Sequence, residues 1–394
     1  MIFIISSIIN AHQLLMKKIY WQVQQMNRIG GAEMVSIDLA NHLSKIYDVT
    51  LVSTVNNEGD IPYHIEPTLK VMSLNLPKRT ERVDVLTKKY LSHFRIFSLL
   101  GLYIQVAFHY FIKRGIYRRR MQKLLLKDDA LLICSSVDSY LLAPKKGKVW
   151  FHFHFDADIF FRGDNKWPFL ISRKPDKFIF LTKAIMEEVV AKKPKLKDKS
   201  TYILNPIRFE PTLDLTYHDN TILFAGRFNT QKDPMLALKV ANVLNERKFP
   251  FILKMFGDPI MKKEMDEYIK EHHLENVVEL HGPTTEIKKE MLNADILLLT
   301  SLFEGLCLVL GEASALSCPW VSSDWGTNLR EVYGDSEAGI IVDVREPEPY
   351  ADAVMKILDN EETLKEYKKK AYEESKKLSH EAILPIWIDL FEHN

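Results

Sequence analysis

Twice along this chain a short apolar run leads through a tight turn into a segment of helical periodicity, and then into a second apolar run. In the first copy, KKIYWQVQQM follows Met16 and reads as a buried strand over residues 18–24, entered behind two lysines. Asn27-Arg28-Ile29-Gly30-Gly31 supplies the turn, and Met34, Ile37, Leu39, Leu43 and Ile46 recur at helical spacing after it. DVTLVSTV is the next strand. Strand, turn, helix and strand in that order form a βαβ unit, whose two strands lie parallel. Further β-like runs around 69–76, 130–135, 148–153 and 177–182 alternate with helical ones, and a linker-like turn runs from Asn205-Pro206 to Pro211.

After that turn the rhythm starts again. TILFAGRF, FILKMFG, VVELHG, ADILLLTS, PWVSSDW and GIIVDV read as strands, and helices are predicted over 233–246, 262–272 and 287–293, the first entered by Asp-Pro. Two successive doubly wound α/β sheets are therefore expected. Ligands of such sheets bind beyond the carboxyl ends of the strands, so the cleft between the two is the expected site. The length of 394 residues suits two large domains, given roughly 150 residues for a typical one. An apolar content of 46% against 27% charged excludes a disordered chain, a collagen-like fibre and a disulfide scaffold. Cys134, Cys307 and Cys318 are an odd, scattered set that fits a reducing compartment and shows no metal-ligand spacing. The net charge of +1 hides an asymmetry: residues 1–210 hold 33 Lys+Arg against 19 Asp+Glu (+14), and the remainder 20 against 33 (−13). A basic half facing an anionic surface and an acidic half kept soluble is the expectation. The opening MIFIISSIINAHQLL lacks a basic n-region and falls short of the ~20 residues that span a bilayer, so residues 1–15 are expected to be a leader outside the fold.

The densest chemical signal is SLFEGLCLVLGEASALSCPWVSSDWG, residues 301–326. Glu304 follows a strand, Gly305 is placed for a tight turn, and the apolar run 306–316 is predicted as a helix with Glu312 about two turns in. Free N–H groups of Leu306 and Cys307 at its start would be available to a sugar hydroxyl or a phosphate oxygen. The plainer alternative has Glu304 capping that helix and Glu312 on a solvated face. Arg227 and Lys232, in GRFNTQKDP, lie on the loop after the first strand of the same half, where two cations would flank a bound pyrophosphate; alone, such a pair is more often solvated.

EGLCLVLGE resembles the paired-glutamate motif of the family 4 retaining glycosyltransferases, also called group 1. GRFNTQKDP resembles that family's Arg and Lys phosphate clamp, IGGAE its first glycine loop, and PDKFIFLTKAIMEEVV with ILNPI the run that closes its first domain. The likeness covers nearly the whole chain from Met16. It implies a GT-B fold, two Rossmann-like doubly wound domains facing a central cleft: an acceptor-side domain over 16–208, a nucleotide-sugar domain over 209–380, and a C-terminal helix, 381–394, crossing back to the first. It also implies roles. Glu312 would hold the ribose hydroxyls, and Glu304, with Gly305 and the N–H groups of Leu306 and Cys307, the donor sugar. Arg227 and Lys232 would neutralise the departing diphosphate in place of a metal, and Gly31 would let backbone N–H approach the same phosphates. No metal and no cofactor is expected, only a nucleotide sugar, UDP-linked, as substrate. Cys307 stands where many members carry proline or a small residue, and reads as small and apolar rather than nucleophilic.

In HFHFD, His152, His154 and Asp156 alternate on one side of a strand, a pattern a metal could use. The family's Trp-x-His pattern instead implies His152 beside the reacting sugar. Residues 95–127 contain no acid; an uncharged stretch over 96–112 precedes KRGIYRRRMQKLLLK. Core helices plus an aromatic and basic surface are expected there, with Arg118, Arg119 and Arg120 beside Tyr110, Phe111 and Tyr117 on an anionic membrane. The expected protein is thus a cytoplasmic hexosyltransferase, peripheral at the inner face of the cell membrane, acting on a growing, lipid-linked glycan for a surface polysaccharide, with no nucleic-acid partner. Its rivals are a sugar-nucleotide epimerase of the same plan and a non-catalytic nucleotide-sugar binder. A nicotinamide dehydrogenase is disfavoured because no GxGxxG follows the first strand.

Overall fold

The computed structural model describes residues 17–27, 30–55, 61–76, 96–135, 143–154 and 175–394. The expected leader at 1–15, Met16 and Asp156 lie outside them. The chain forms two compact units: residues up to Phe180 with Val189–Tyr202, and Leu181–Glu188 with Ile203–Asn394.

In the first unit β1 (Lys18–Val23), α1 (Gly31–Leu43) and β2 (Asp48–Val55) make the βαβ unit, followed by β3 (Lys70–Leu76), α2 (Ile96–Asp128), β4 (Leu131–Cys134), β5 (Lys148–Phe153), β6 (Lys177–Phe180), α3 (Lys183–Lys192) and β7 (Ser200–Tyr202). Helix α3 runs across the division between the units. The strands form one sheet in the order β3-β2-β1-β4-β5-β6-β7, parallel throughout. Strands covered on both faces read as near-continuous apolar runs, and five of the six residues of β1 and of β5 are buried. Trp21 keeps its indole satisfied by donating to Ser135 Oγ at 2.8 Å.

Where the sequence predicts several core helices over 96–127, a single helix of 33 residues runs through. It packs against β3, and one side, carrying Tyr117, Met121 and Leu125, is buried. Spacings of four keep those residues on one face, so Tyr117 is enclosed and cannot be one of the membrane-facing aromatics. Arg118 Nε donates to Ala143 O (3.1 Å) and Arg120 to Leu74 O, so two of the three arginines are tied to backbone. No helix among the described residues is long and apolar enough to cross a membrane.

The second unit repeats the scheme with β8 (Thr221–Ala225), α4 (Pro234–Glu246), β9 (Ile252–Phe256), α5 (Lys262–Glu271), β10 (Val278–His281), α6 (Ile287–Leu292), β11 (Ile296–Leu299), α7 (Leu308–Ala315), β12 (Trp320–Ser323), α8 (Thr327–Tyr333), β13 (Gly339–Val342), α9 (Pro347–Ile357), α10 (Glu361–Ser375) and α11 (His380–Glu392). Its parallel sheet runs β10-β9-β8-β11-β12-β13. One core joins Phe224, Leu253 and Leu298 from the sheet to Leu238 of α4 and Val354 of α9. The stretch read as a linker is pinned to this unit: Ile207 N–H donates to Leu378 O (2.9 Å) and Thr212 N–H to Ala315 O (2.7 Å).

Candidate functional site

In the second sheet β8 comes first in the chain and sits centrally, with β9 and β10 to one side and β11, β12 and β13 to the other. Chain direction through the sheet reverses between β8 and β11, which pair through Ile222 with Ile296 and Leu223 with Leu297. Segments leaving the carboxyl ends of such a strand pair diverge to opposite faces, and the crevice between them is where doubly wound sheets bind ligands. Here the segments are residues 226–233 and 300–307, which carry Arg227, Lys232, Glu304, Gly305, Leu306 and Cys307.

Several bonds lock these two segments together. Leu302 N–H donates to Gln231 O (2.8 Å), Gln231 Nε2 to Phe303 O (3.1 Å), and Thr300 Oγ1 to Asp233 O (2.8 Å). Arg345, just after β13, joins both: its Nη2 reaches Asp233 Oδ2 at 2.6 Å and Thr300 O at 2.9 Å, and its Nη1 reaches Ser301 O at 3.1 Å. Asp233 begins α4 in left-handed backbone (φ 43°, ψ 62°), a conformation aspartate tolerates, and its carboxylate also accepts from Leu236 N–H. At the next strand end Gly257 is required: a Cβ there would lie 2.0 Å from Gly226 O.

Within this frame Lys232 Nζ lies 2.6 Å from Glu304 Oε1, with both side chains largely buried. Burial works against the ammonium charge and the Glu304 carboxylate supports it, and the Lys232 pKa lies above its ordinary range. Arg227 differs. It is exposed and donates to Gln231 Oε1 at 3.3 Å, so the two cations of the expected clamp are one paired and one open to solvent.

Helix α7 is shorter than predicted. It begins at Leu308, so Leu306 and Cys307 precede it, and Cys307 occupies the N-cap with φ 21° and ψ 76°. Gly305 is not among the glycines with positive φ, so the left-handed backbone falls on Cys307 instead. Burial and then Glu304 push the Cys307 thiol pKa up, away from the thiolate a nucleophile needs. No side chain caps the helix, so Glu304 is not its cap.

Glu312 is 4% exposed, which removes the solvated-face alternative. Arg208 grips it with Nε–Oε1 at 2.8 Å and Nη2–Oε2 at 3.3 Å, a two-point contact that fixes the carboxylate plane. Sequence reasoning missed Arg208, because it lay inside the apparent linker, and missed Arg345 and Gln231. Arg345 carried a usable signal: it follows the strand GIIVDV, at the carboxyl edge where such sheets place their ligands.

Two residues singled out in the sequence lie in the first unit. Gly31 is the first residue of α1, with open space where a Cβ would project, beside the reversal between β1 and β4 in that sheet. His152, on β5, is fully buried, and burial drives its pKa well below the usual histidine range. His154 follows it with ring centroids 4.0 Å apart; burial pushes it down to about 3, and its Nε2 has no hydrogen-bond partner among the described residues. Both rings are neutral near pH 7.

The fold is shared with solved glycosyltransferase structures. The crystal structure of S. aureus TarM in complex with UDP and other ligands aligns with a TM-score of 0.75 at 15% identity, covering 95% of this chain and 100% of that one. Two parallel Rossmann-like sheets and that likeness define the fold class, GT-B. Residues 209–374 match the family described as glycosyl transferases group 1. It is similar to the amylovoran biosynthesis glycosyltransferase AmsD of Erwinia amylovora, 25% identical over 95% of this chain and 99% of the relative. It is also similar to the GalNAc-alpha-(1->4)-GalNAc-alpha-(1->3)-diNAcBac-PP-undecaprenol alpha-1,4-N-acetyl-D-galactosaminyltransferase of Campylobacter jejuni, 25% identical over 95% of this chain and 98% of the relative.

Proposed function

We propose that this chain is a family 4 retaining glycosyltransferase that moves a hexose from a UDP-sugar to a lipid-linked glycan for a surface polysaccharide, without a metal and peripherally at the inner face of the cell membrane. The observation that carries the donor site is the Lys232–Glu304 pair at the β8/β11 reversal. A buried ammonium held on a carboxylate is a counter-ion ready for exchange. An incoming diphosphate takes over Lys232, and the released Glu304 turns to the sugar hydroxyls. As the glycosidic bond breaks, negative charge grows on the diphosphate, and Lys232 with Arg227 stabilises that charge more strongly than the ground state, which is how such groups raise rate. Glu312, oriented by Arg208, accepts from the ribose hydroxyls, and Gly305, Leu306 and Cys307 line the sugar side with backbone.

From the first unit, Gly31 serves the phosphates and His152 orients a reacting hydroxyl; its neutral ring suits a hydrogen-bond partner rather than a cation. The names of the relatives support the acceptor class: one belongs to amylovoran biosynthesis and another elongates an undecaprenol-linked saccharide. The test is incubation with UDP-, GDP- and ADP-sugars, with and without a lipid-linked saccharide, measuring the nucleotide released. Acceptor-dependent UDP release with an α-linked product is expected from an α-linked donor. Isomerised free sugar without acceptor would replace the proposal by an epimerase, and binding without turnover by a donor-binding protein.

A further inference from the structure

Helix α2 buries Leu102, Tyr117, Met121 and Leu125. At 3.6 residues per turn, its opposite side carries Ile104, Phe108 and Phe111, and then, after Gly115, Arg119, Gln122 and Leu126, each three or four residues from the last. The first three are large, apolar and open to solvent, Phe108 at 66% and Phe111 at 67% exposure. Along the same stripe, about 20 Å further on by helical rise, Arg118, Arg119, Gln122, Lys123, Leu126 and Lys145 line a shallow hollow of about 300 Å³. Arg118 is positioned at its edge by the bond to Ala143 O. No carboxylate among the described residues lines it, and residues 95–127 contain no acid. Four cations around one small hollow repel each other, and an oxyanion seated among them relieves that repulsion.

We infer that this hollow seats the phosphodiester headgroup of an anionic membrane phospholipid, while Ile104, Phe108 and Phe111 on the same stripe enter the acyl boundary. The inference rests on the proposed peripheral membrane location and gives it a specific seat. Charge complementarity selects an anion. Continuity with the apolar stripe selects one presented at a lipid surface, since a soluble anion would leave those three side chains in water. A helix lying in the interface buries its apolar side a few ångströms below the headgroups, which matches apolar and basic groups sharing one face.

The test is flotation of the full chain with phosphatidylcholine vesicles, with and without phosphatidylglycerol. The unmodified protein should bind only the anionic vesicles. The triple change Arg119→Glu, Lys123→Glu and Lys145→Glu should lower binding on the order of a hundredfold, since each cation engaged with an anionic surface contributes severalfold. The same charge change at the exposed Lys192, Lys195 and Lys197, also in the first unit's sequence, should lower it far less. Circular dichroism establishes that both triples are folded. Because Cys134, Cys307 and Cys318 are all buried, an environment-sensitive dye can be placed selectively on Phe111→Cys, and its emission should shift to the blue on anionic vesicles. Equal losses from both triples, or no dye shift, would overturn the inference in favour of diffuse attraction. Binding to neutral vesicles carrying a polyprenyl diphosphate, with the same dependence on Arg119, Lys123 and Lys145, would assign the hollow to the acceptor and also overturn it. Nucleotide release with a soluble acceptor, read in parallel, separates the two proposals: turnover without selective vesicle binding sinks only the headgroup seat, and binding without turnover sinks only the enzymatic reading.

Discussion

Replacing Arg208 with methionine strips the partner from a carboxylate that the fold has taken out of water. Glu312 has a side chain 5% exposed, and Arg208, at 33%, bonds both of its oxygens. Removing one member of a fully buried pair costs about 3–5 kcal/mol, whereas an exposed pair contributes about 0–1 kcal/mol. With one partner buried and the other a third exposed, the loss falls between, at about 2–3 kcal/mol. At about 2–4 °C per kcal/mol for a domain of this size, the second unit should melt roughly 5–10 °C lower in differential scanning calorimetry. Glu312→Gln removes the charge instead, so the double variant should lose at least about 1 kcal/mol less than the sum of the single losses. Additive losses, or an unchanged melting point for Arg208→Met, would refute the claim that the two act as a unit. Calorimetric titration with UDP then tests the proposed role: Glu312→Gln should weaken binding by about 1.5–3 kcal/mol, the value of hydrogen bonds to a charged group. Unchanged affinity in the folded variant would sink the ribose assignment.

Lys232→Ala should lower kcat on the order of 100-fold and the apparent donor affinity less, because its charge matters most as the diphosphate leaves; strong inhibition by EDTA that added metal relieves would reject the metal-independent scheme. Gly257→Ala should lose about 1–3 kcal/mol of stability as the new methyl group forces residue 226 away, and donor binding should fall with it; a melting point like that of the unmodified protein would show that the close approach does not constrain the loop. His152 and His154 have folded pKa values below the unfolded value of about 6.5, so the unfolded chain binds the extra protons. Their contribution is therefore complete above about pH 6.5 and is lost as pH falls, at up to about 1.4 kcal/mol per pH unit for each ring, continuing to about 3 for His154. Urea midpoints measured between about pH 4 and 7 should show that slope, and His152→Gln with His154→Gln should flatten it; a slope unchanged by the double substitution would place the acid sensitivity elsewhere. In transfer assays His152→Ala should do more damage than His154→Ala, and the reverse order would move the role along the strand.

Much of this protein can be read from near neighbours in the chain. Apolar runs with no polar alternation announce strands covered on both sides, and their regular exchange with helical periods announces two parallel sheets, because burial on a strand or a helix repeats over a few residues. The loop after β8 and the segment after β11 were identifiable for the same reason, as cations and acids placed just past the end of an apolar run. What those residues touch was not. Lys232 meets Glu304 because β8 and β11 become neighbours in the sheet and bring their carboxyl ends together, and Arg208 meets Glu312 across 104 residues where the segment before β8 is bonded back onto α7. Composition misled wherever a helix turned a residue inward: Tyr117 reads as one more aromatic in a basic stretch until the fold decides which side of α2 is covered. Periodicity along the chain sets which positions prefer burial. Partner choice, and the difference between a solvated Arg227 and a buried, paired Lys232 five residues on, depends on strand order, which only the folded sheet establishes.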